Sequence, residues 1–119
     1  MANIDSSLKE LLAIDGALGA CIVDYKSGKS LGYSGGGVDL ELAAAGNSEV
    51  VKAKMATMKS LGIKGEIEDI LITLKDQLHI IRPTASHDGL FIYLVLDKGK
   101  SNLALARRKV HSIEEVLEV

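Results

Sequence analysis

Seven consecutive apolar residues, Leu90-Phe91-Ile92-Tyr93-Leu94-Val95-Leu96, constrain this chain more than any other feature. An apolar run with no alternation has no face to offer to water. As a strand it needs cover on both sides, and it is far too short to cross a bilayer as a helix. It is therefore expected to be a central strand of its sheet. Trp is absent and the aromatic residues are Tyr25, Tyr33, Tyr93 and Phe91, so the cover has to be aliphatic.

A chain of 119 residues suits one domain and can bury a core without disulfides or metal. Sixteen acidic against fourteen basic residues, net charge −2, leave no basic excess for a phosphate backbone, so nucleic acid is not an expected partner. Cys21 is the single cysteine. No disulfide can form within the chain, and a reducing, cytoplasmic setting is expected. Residues 1–12 have no basic stretch followed by an apolar one, so no secretory signal is expected, and since the longest apolar run is seven residues, membrane insertion is not expected either.

Ile4, Leu8, Leu11 and Leu12 recur at helical spacing and predict a first helix over about residues 4–14, capped by Asp5 or Ser6 and ended by Asp15-Gly16. Gly19 to Asp24 reads as a strand covered on both faces. Lys26-Ser27-Gly28-Lys29 reads as a turn, and Ser30 to Ser34 as the returning strand of a hairpin. Gly35-Gly36-Gly37 breaks the pattern before a long helix from Asp39 to Ser60. There Asp39 is the expected cap, Leu40, Ala43, Ala44, Asn47, Val51, Met55 and Met58 form the stripe, and Gly62 is the stop. Three strand-like runs follow: Ile67 to Leu74, Leu78 to Arg82 before Pro83, and Leu90 to Leu96. Gln77 is placed in the first intervening turn and His87-Asp88-Gly89 in the second. Ser101 or Asn102 caps a last helix to about Glu118, with the stripe Leu103, Ala106, Val110, Ile113, Leu117. The order αββαβββα, with hairpin connections, predicts an α+β fold on an antiparallel sheet.

At this point the sequence resembles the roadblock/LC7 family, including its small bacterial members. The resemblance lies in Leu18-Gly-Ala-Cys-Ile-Val-Asp24 with its glycine turn, Asp39-Leu-Glu-Leu-Ala-Ala-Ala45, Ile70-Leu-Ile-Thr73 and Arg82-Pro83. It continues in Leu90 to Asp97 and in Asn102-Leu-Ala-Leu-Ala-Arg107, and so spans nearly the whole chain. It implies a five-stranded antiparallel sheet in the order 2-1-5-4-3, with the long central helix on one face and the two terminal helices on the other. It implies a homodimer made by pairing third strands, with the long helices side by side. It also implies a regulatory or scaffold role, binding a small Ras-like GTPase, with no nucleotide chemistry and no cofactor.

The residues support self-association separately. Ile67 to Leu74 is a long apolar edge without Pro, and Asp69 and Lys75 protect it weakly, so it invites pairing. The expected dimer interface is Ile67, Asp69, Ile70, Leu71, Ile72 and Thr73 with Ala43, Ala44, Asn47 and Val51 of the long helix. The expected partner surface on that helix is Glu41, Ser48, Lys52, Met55 and Lys59.

Signals of chemistry are weak. Ser27-Gly28-Lys29-Ser30 echoes a phosphate loop, but the position that needs the earlier glycine is Val23 and a strand follows instead of a helix. The Gly35-Gly36-Gly37 stretch leads into a helix start where Asp39 and Glu41 would repel an anion. Ser86-His87-Asp88 has the residue types of a hydrolytic triad, but neighbours in a turn cannot align as nucleophile, base and orienter. His79, His87 and His111 have no metal-ligand spacing, and Cys21 is expected to be a small buried hydrophobe. Arg107-Arg108-Lys109, like Lys52, Lys54 and Lys59, is read as a solvated helix face. No catalytic, cofactor or metal residue is therefore assigned, and the chain is expected not to be an enzyme. The alternative reading is a small-molecule sensor of α+β type.

Overall fold

The computed structural model describes residues 3–119. Its elements are α1 (Ile4–Leu12), β1 (Ala17–Asp24), β2 (Lys29–Gly35), α2 (Leu40–Ser60), β3 (Ile70–Thr73), β4 (Gln77–Pro83), β5 (Leu90–Asp97) and α3 (Leu103–Val116), with a short 3₁₀ turn, Lys98–Lys100, leading into α3. All strand pairs are antiparallel and the sheet order is β2-β1-β5-β4-β3, the order the family resemblance implies.

The apolar run of β5 sits at the centre of the sheet, between β1 and β4, and Leu90 to Leu96 are all buried. Because side chains alternate along a strand, this run feeds two cores at once. Ile92, Leu94 and Leu96 join Ala20, Ile22, Leu78 and Ile80 beneath α1 and α3, which supply Leu8, Leu11, Ala106, Val110 and Ile113. Phe91, Tyr93 and Val95 join Cys21, Val23 and Ile81 beneath α2, which supplies Leu40, Ala44 and Val51. The edge strand β2 packs closely under α1 at Gly32, where a Cβ would stand 2.8 Å from Ile4 Cγ2.

The caps are local hydrogen bonds. Asn3, not Asp5 or Ser6, caps α1, its Oδ1 accepting from the Ser6 N–H at 2.8 Å. Asp39 caps α2 and Asn102 caps α3 in the same way, each accepting from the N–H three residues on. Asx side chains do this because they reach the orphan donors of a first turn. Two helices stop short of expectation: α1 ends at Leu12, and α3 ends at Val116 with Leu117 extended and buried.

Two strand boundaries also need correction. Gln77 is the first residue of β4 rather than part of a turn, and it pairs with Asp97. β3 is four residues, not the eight of Ile67 to Leu74. Its register sets Ile70 opposite Ile81, so two more residues would set Glu68 opposite Pro83. Proline has no N–H for a ladder, and pairing stops before it. Residues 61–69 instead form an irregular connection. Among the described residues no helix is long and apolar enough to cross a membrane.

Candidate docking surface

The sheet ends in two edges that differ in kind. β2 carries a bulge: Ile22 pairs with Gly32 and Val23 with Ser30, so Leu31 is the extra residue. Bulges and short glycine-containing segments blunt an edge against further pairing. β3 is regular through its four pairs with β4 and has no strand on its outer side among the described residues. Ile70 and Ile72 are half-buried on the α2 side of the sheet, and Leu71 is 37% exposed on the other.

Asp69, just before β3, is not a free edge charge. Arg107 of α3 grips it with a two-pronged fork, Nε to Oδ2 at 2.7 Å and Nη2 to Oδ1 at 3.0 Å. The carboxylate raises the Arg107 pKa further, first through the hydrogen bonds and then through charge. This corrects the expectation that Arg107 is simply solvated. The fork ties the start of β3 to α3 and so helps fix how the edge is presented. A contact between residues 38 positions apart carries no spacing signal in the sequence.

α2 divides the remaining expected residues. Ala44 and Val51 are buried in the protein's own core and are unavailable as interface residues in this fold. Ser48, expected on the partner surface, is 1% exposed, and its hydroxyl donates to the Ala44 carbonyl at 2.6 Å. Each lies on the side of the helix turned to the sheet, where the stripe also places Ala44 and Val51, although the interface and partner-surface expectations set all three outward. Ala43 and Asn47 remain half-exposed on the flank, and Glu41, Lys52 and Lys59 are exposed. Lys52 pairs with Glu49 at 3.0 Å. Met55 is half-buried and Ile67, before β3, is also half-buried. The outward residues that the stripe misses are Leu42, 70% exposed, and Val50, 39% exposed. Their signal is their eight-residue spacing, with small Gly46 midway between them.

Where β4 meets α2, a chain of polar groups lies under this surface. Gln77 Nε2 donates to the Gly37 carbonyl at 3.2 Å, which turns Gln77 Oε1 toward His79 Nε2 at 2.9 Å. His79 therefore carries its proton on Nε2, and Nδ1 accepts from the Tyr93 hydroxyl at 2.9 Å. Burial lowers the His79 pKa and pushes the Tyr93 phenol up to about 12, with Asn47 pulling the phenol the other way.

The residues with catalytic types are occupied structurally. Burial pushes the Cys21 thiol up to about 12, which leaves no thiolate at neutral pH. Gly28, at φ +78°, closes the β1–β2 turn, where Asp24 Oδ1 accepts from the Lys26 N–H. His87 Nε2 bonds to the Leu117 carbonyl at 2.8 Å, while Asp88 pairs with Lys26 at 3.3 Å, so Ser86-His87-Asp88 is a turn and not a relay.

With this geometry in view, solved structures give the comparison. A roadblock/LC7 domain from Streptomyces avermitilis superposes with TM-score 0.81 at 13% identity, over 96% of this chain and 93% of that one. Myxococcus xanthus MglB superposes with TM-score 0.82 at 17% identity, over 94% and 89%. The gliding protein mglB of Thermus thermophilus gives 0.72 at 19% identity, over 94% and 88%. No family model and no curated protein matches the chain. The chain has the roadblock/LC7 fold, and at these identities the likeness is one of fold.

Proposed function

We propose that this chain is a non-enzymatic, homodimeric regulatory module that binds a small Ras-like GTPase. The observation that carries the dimer is the regular, uncovered edge of β3, set against a β2 edge that a bulge already blunts. A second copy would satisfy the open ladder and cover Ile70, Ile72 and the flank of α2 around Ala43, Asn47 and Val50. The GTPase rests on the family resemblance of the sequence, together with the likeness of fold to MglB. The exposed residues Glu41, Lys52 and Lys59 on α2 are the proposed contact, with Met55 beside them. A cytoplasmic setting and the absence of catalysis are parts of the same reading.

Sedimentation velocity at micromolar concentration tests the assembly. The native chain is expected to sediment as a dimer, and the variant Leu71→Lys with Val50→Glu as a folded monomer, since both side chains are exposed in the single chain. A native monomer, or a dimer that survives both changes, would remove the proposed interface. Small GTPases from the source cell, loaded with GDP or a non-hydrolysable GTP analogue, are then passed over the immobilised protein. Capture is expected to fall with charge reversal at Glu41, Lys52 and Lys59. Capture that persists would displace the surface, and no capture in either nucleotide state would displace the GTPase.

A further inference from the structure

A cavity of about 600 Å³ opens at the C-terminal end of α2. Met55 and Met58 of α2, with Ile63 and Ile67 of the 61–69 connection, give it an apolar lining. At its base Arg82 Nε donates to Glu114 Oε1 at 3.1 Å, with side-chain exposures of 15% and 5%. Arg82 Nη2 also contacts His111 Nδ1. An ion pair this buried costs desolvation that its own attraction barely returns. Its guanidinium charge is already balanced by Glu114, so it does not make the cavity an anion site.

The rim has the opposite character. Glu66 and Glu68 stand around it with Lys59 as the remaining cation of the lining, while Asp88, also on the rim, is already paired with Lys26. The lining as a whole has four carboxylates against two cations. The wall that carries Glu66 and Glu68 is tethered at one end by the Ile63 N–H bond to the Met58 carbonyl, 3.0 Å, and at the other by the Arg107 fork on Asp69. Between them the chain is exposed except at Ile67, so the wall can shift without breaking a core. Ile63 is 51% exposed, so the apolar part of the lining itself reaches the surface.

We propose that this cavity docks a segment of a partner protein that presents an apolar side chain flanked by Lys or Arg. The methionines supply adaptable apolar contact for the anchor. The acidic rim complements the flanking cations and disfavours an acidic segment. The site borders the proposed GTPase contact at Met55 and Lys59 and the start of the edge at Ile67, but Glu66, Glu68 and Ile63 belong to neither surface assigned above.

The test is fluorescence anisotropy of the full chain with labelled peptides of about twelve residues, carrying Leu, Met or Phe at the centre and Lys or Arg on either side. Matched peptides carry Glu in place of the basic residues. Saturable binding of the basic set is expected, at least about tenfold weaker for the acidic set and weaker still as salt rises. The double reversal Glu66→Lys with Glu68→Lys, both exposed, is expected to cost at least about tenfold in affinity with melting temperature unchanged. Ile63→Ser is expected to weaken the basic set as well. No saturable binding, equal binding of the two sets, or indifference to the double reversal would overturn the proposal. So would full competition by spermine, which would assign the cavity to a small cation. Loss of peptide binding in step with self-association would assign it to a second copy. Dimerisation and GTPase capture, measured on the same double variant, are expected to be intact, which separates failure of this site from failure of the role proposed above.

Discussion

Burial lowers the His79 pKa, and protonation at Nδ1 would also make the buried Tyr93 hydroxyl give up the bond it donates there. The folded pKa is below the ordinary 6.5, so between the two values the unfolded chain binds more protons. The stability tied to the neutral ring is fully present above pH 6.5 and is lost as pH falls through the folded pKa. Urea unfolding from pH 7.5 to 5 is expected to show a slope from this group of at most about 1.4 kcal/mol per pH unit, absent in His79→Gln. An unchanged slope in the variant would assign the acid sensitivity elsewhere. Gly19 is a second case, since a Cβ there would lie 2.1 Å from the Gly36 carbonyl oxygen. Backbone cannot swing aside as a side chain can, so Gly19→Ala is expected to lose about 1–3 kcal/mol in the same assay. The three glycines after β2 are marked in the sequence as a breaker. Nothing there signals that Gly19, inside a strand, is where that crossing needs room.

At the scale of elements, local alternation and helical spacing account for most of the pattern. The order αββαβββα, the caps Asp39 and Asn102, and the central place of Leu90 to Leu96 are legible because each follows from a pattern within a few residues. The short β3 is not, because its limit comes from Pro83 on the neighbouring strand. The Arg107 fork is hidden for the same reason. Arg107→Ala is expected to speed amide exchange at Ile70–Thr73 while costing at most about 1 kcal/mol, since the pair is partly exposed. Arg107→Lys is expected to restore it only in part, because an ammonium cannot make the fork. Exchange that stays as slow as in the native chain would show that β4 alone holds the edge.

For the whole molecule, two cores share one sheet, and Cys21 lies between strands with no exposed surface. Its thiol is therefore a reporter of global opening. Reaction with an aromatic disulfide reagent is expected to be far below stoichiometric in buffer and to rise with urea along the unfolding curve. Rapid labelling of the native chain would place a local opening at β1. Local patterning in the sequence determined the elements and the apolar centre of the sheet, because those are properties of contiguous residues, while the strand order came from the resemblance carried by its ordered segments. Tertiary structure alone decided which small residues of α2 face inward, how far β3 extends, which carboxylate Arg107 holds and where the acidic-rimmed cavity opens. Those depend on neighbours distant in the chain, whose approach is set by how the helices settle on the sheet.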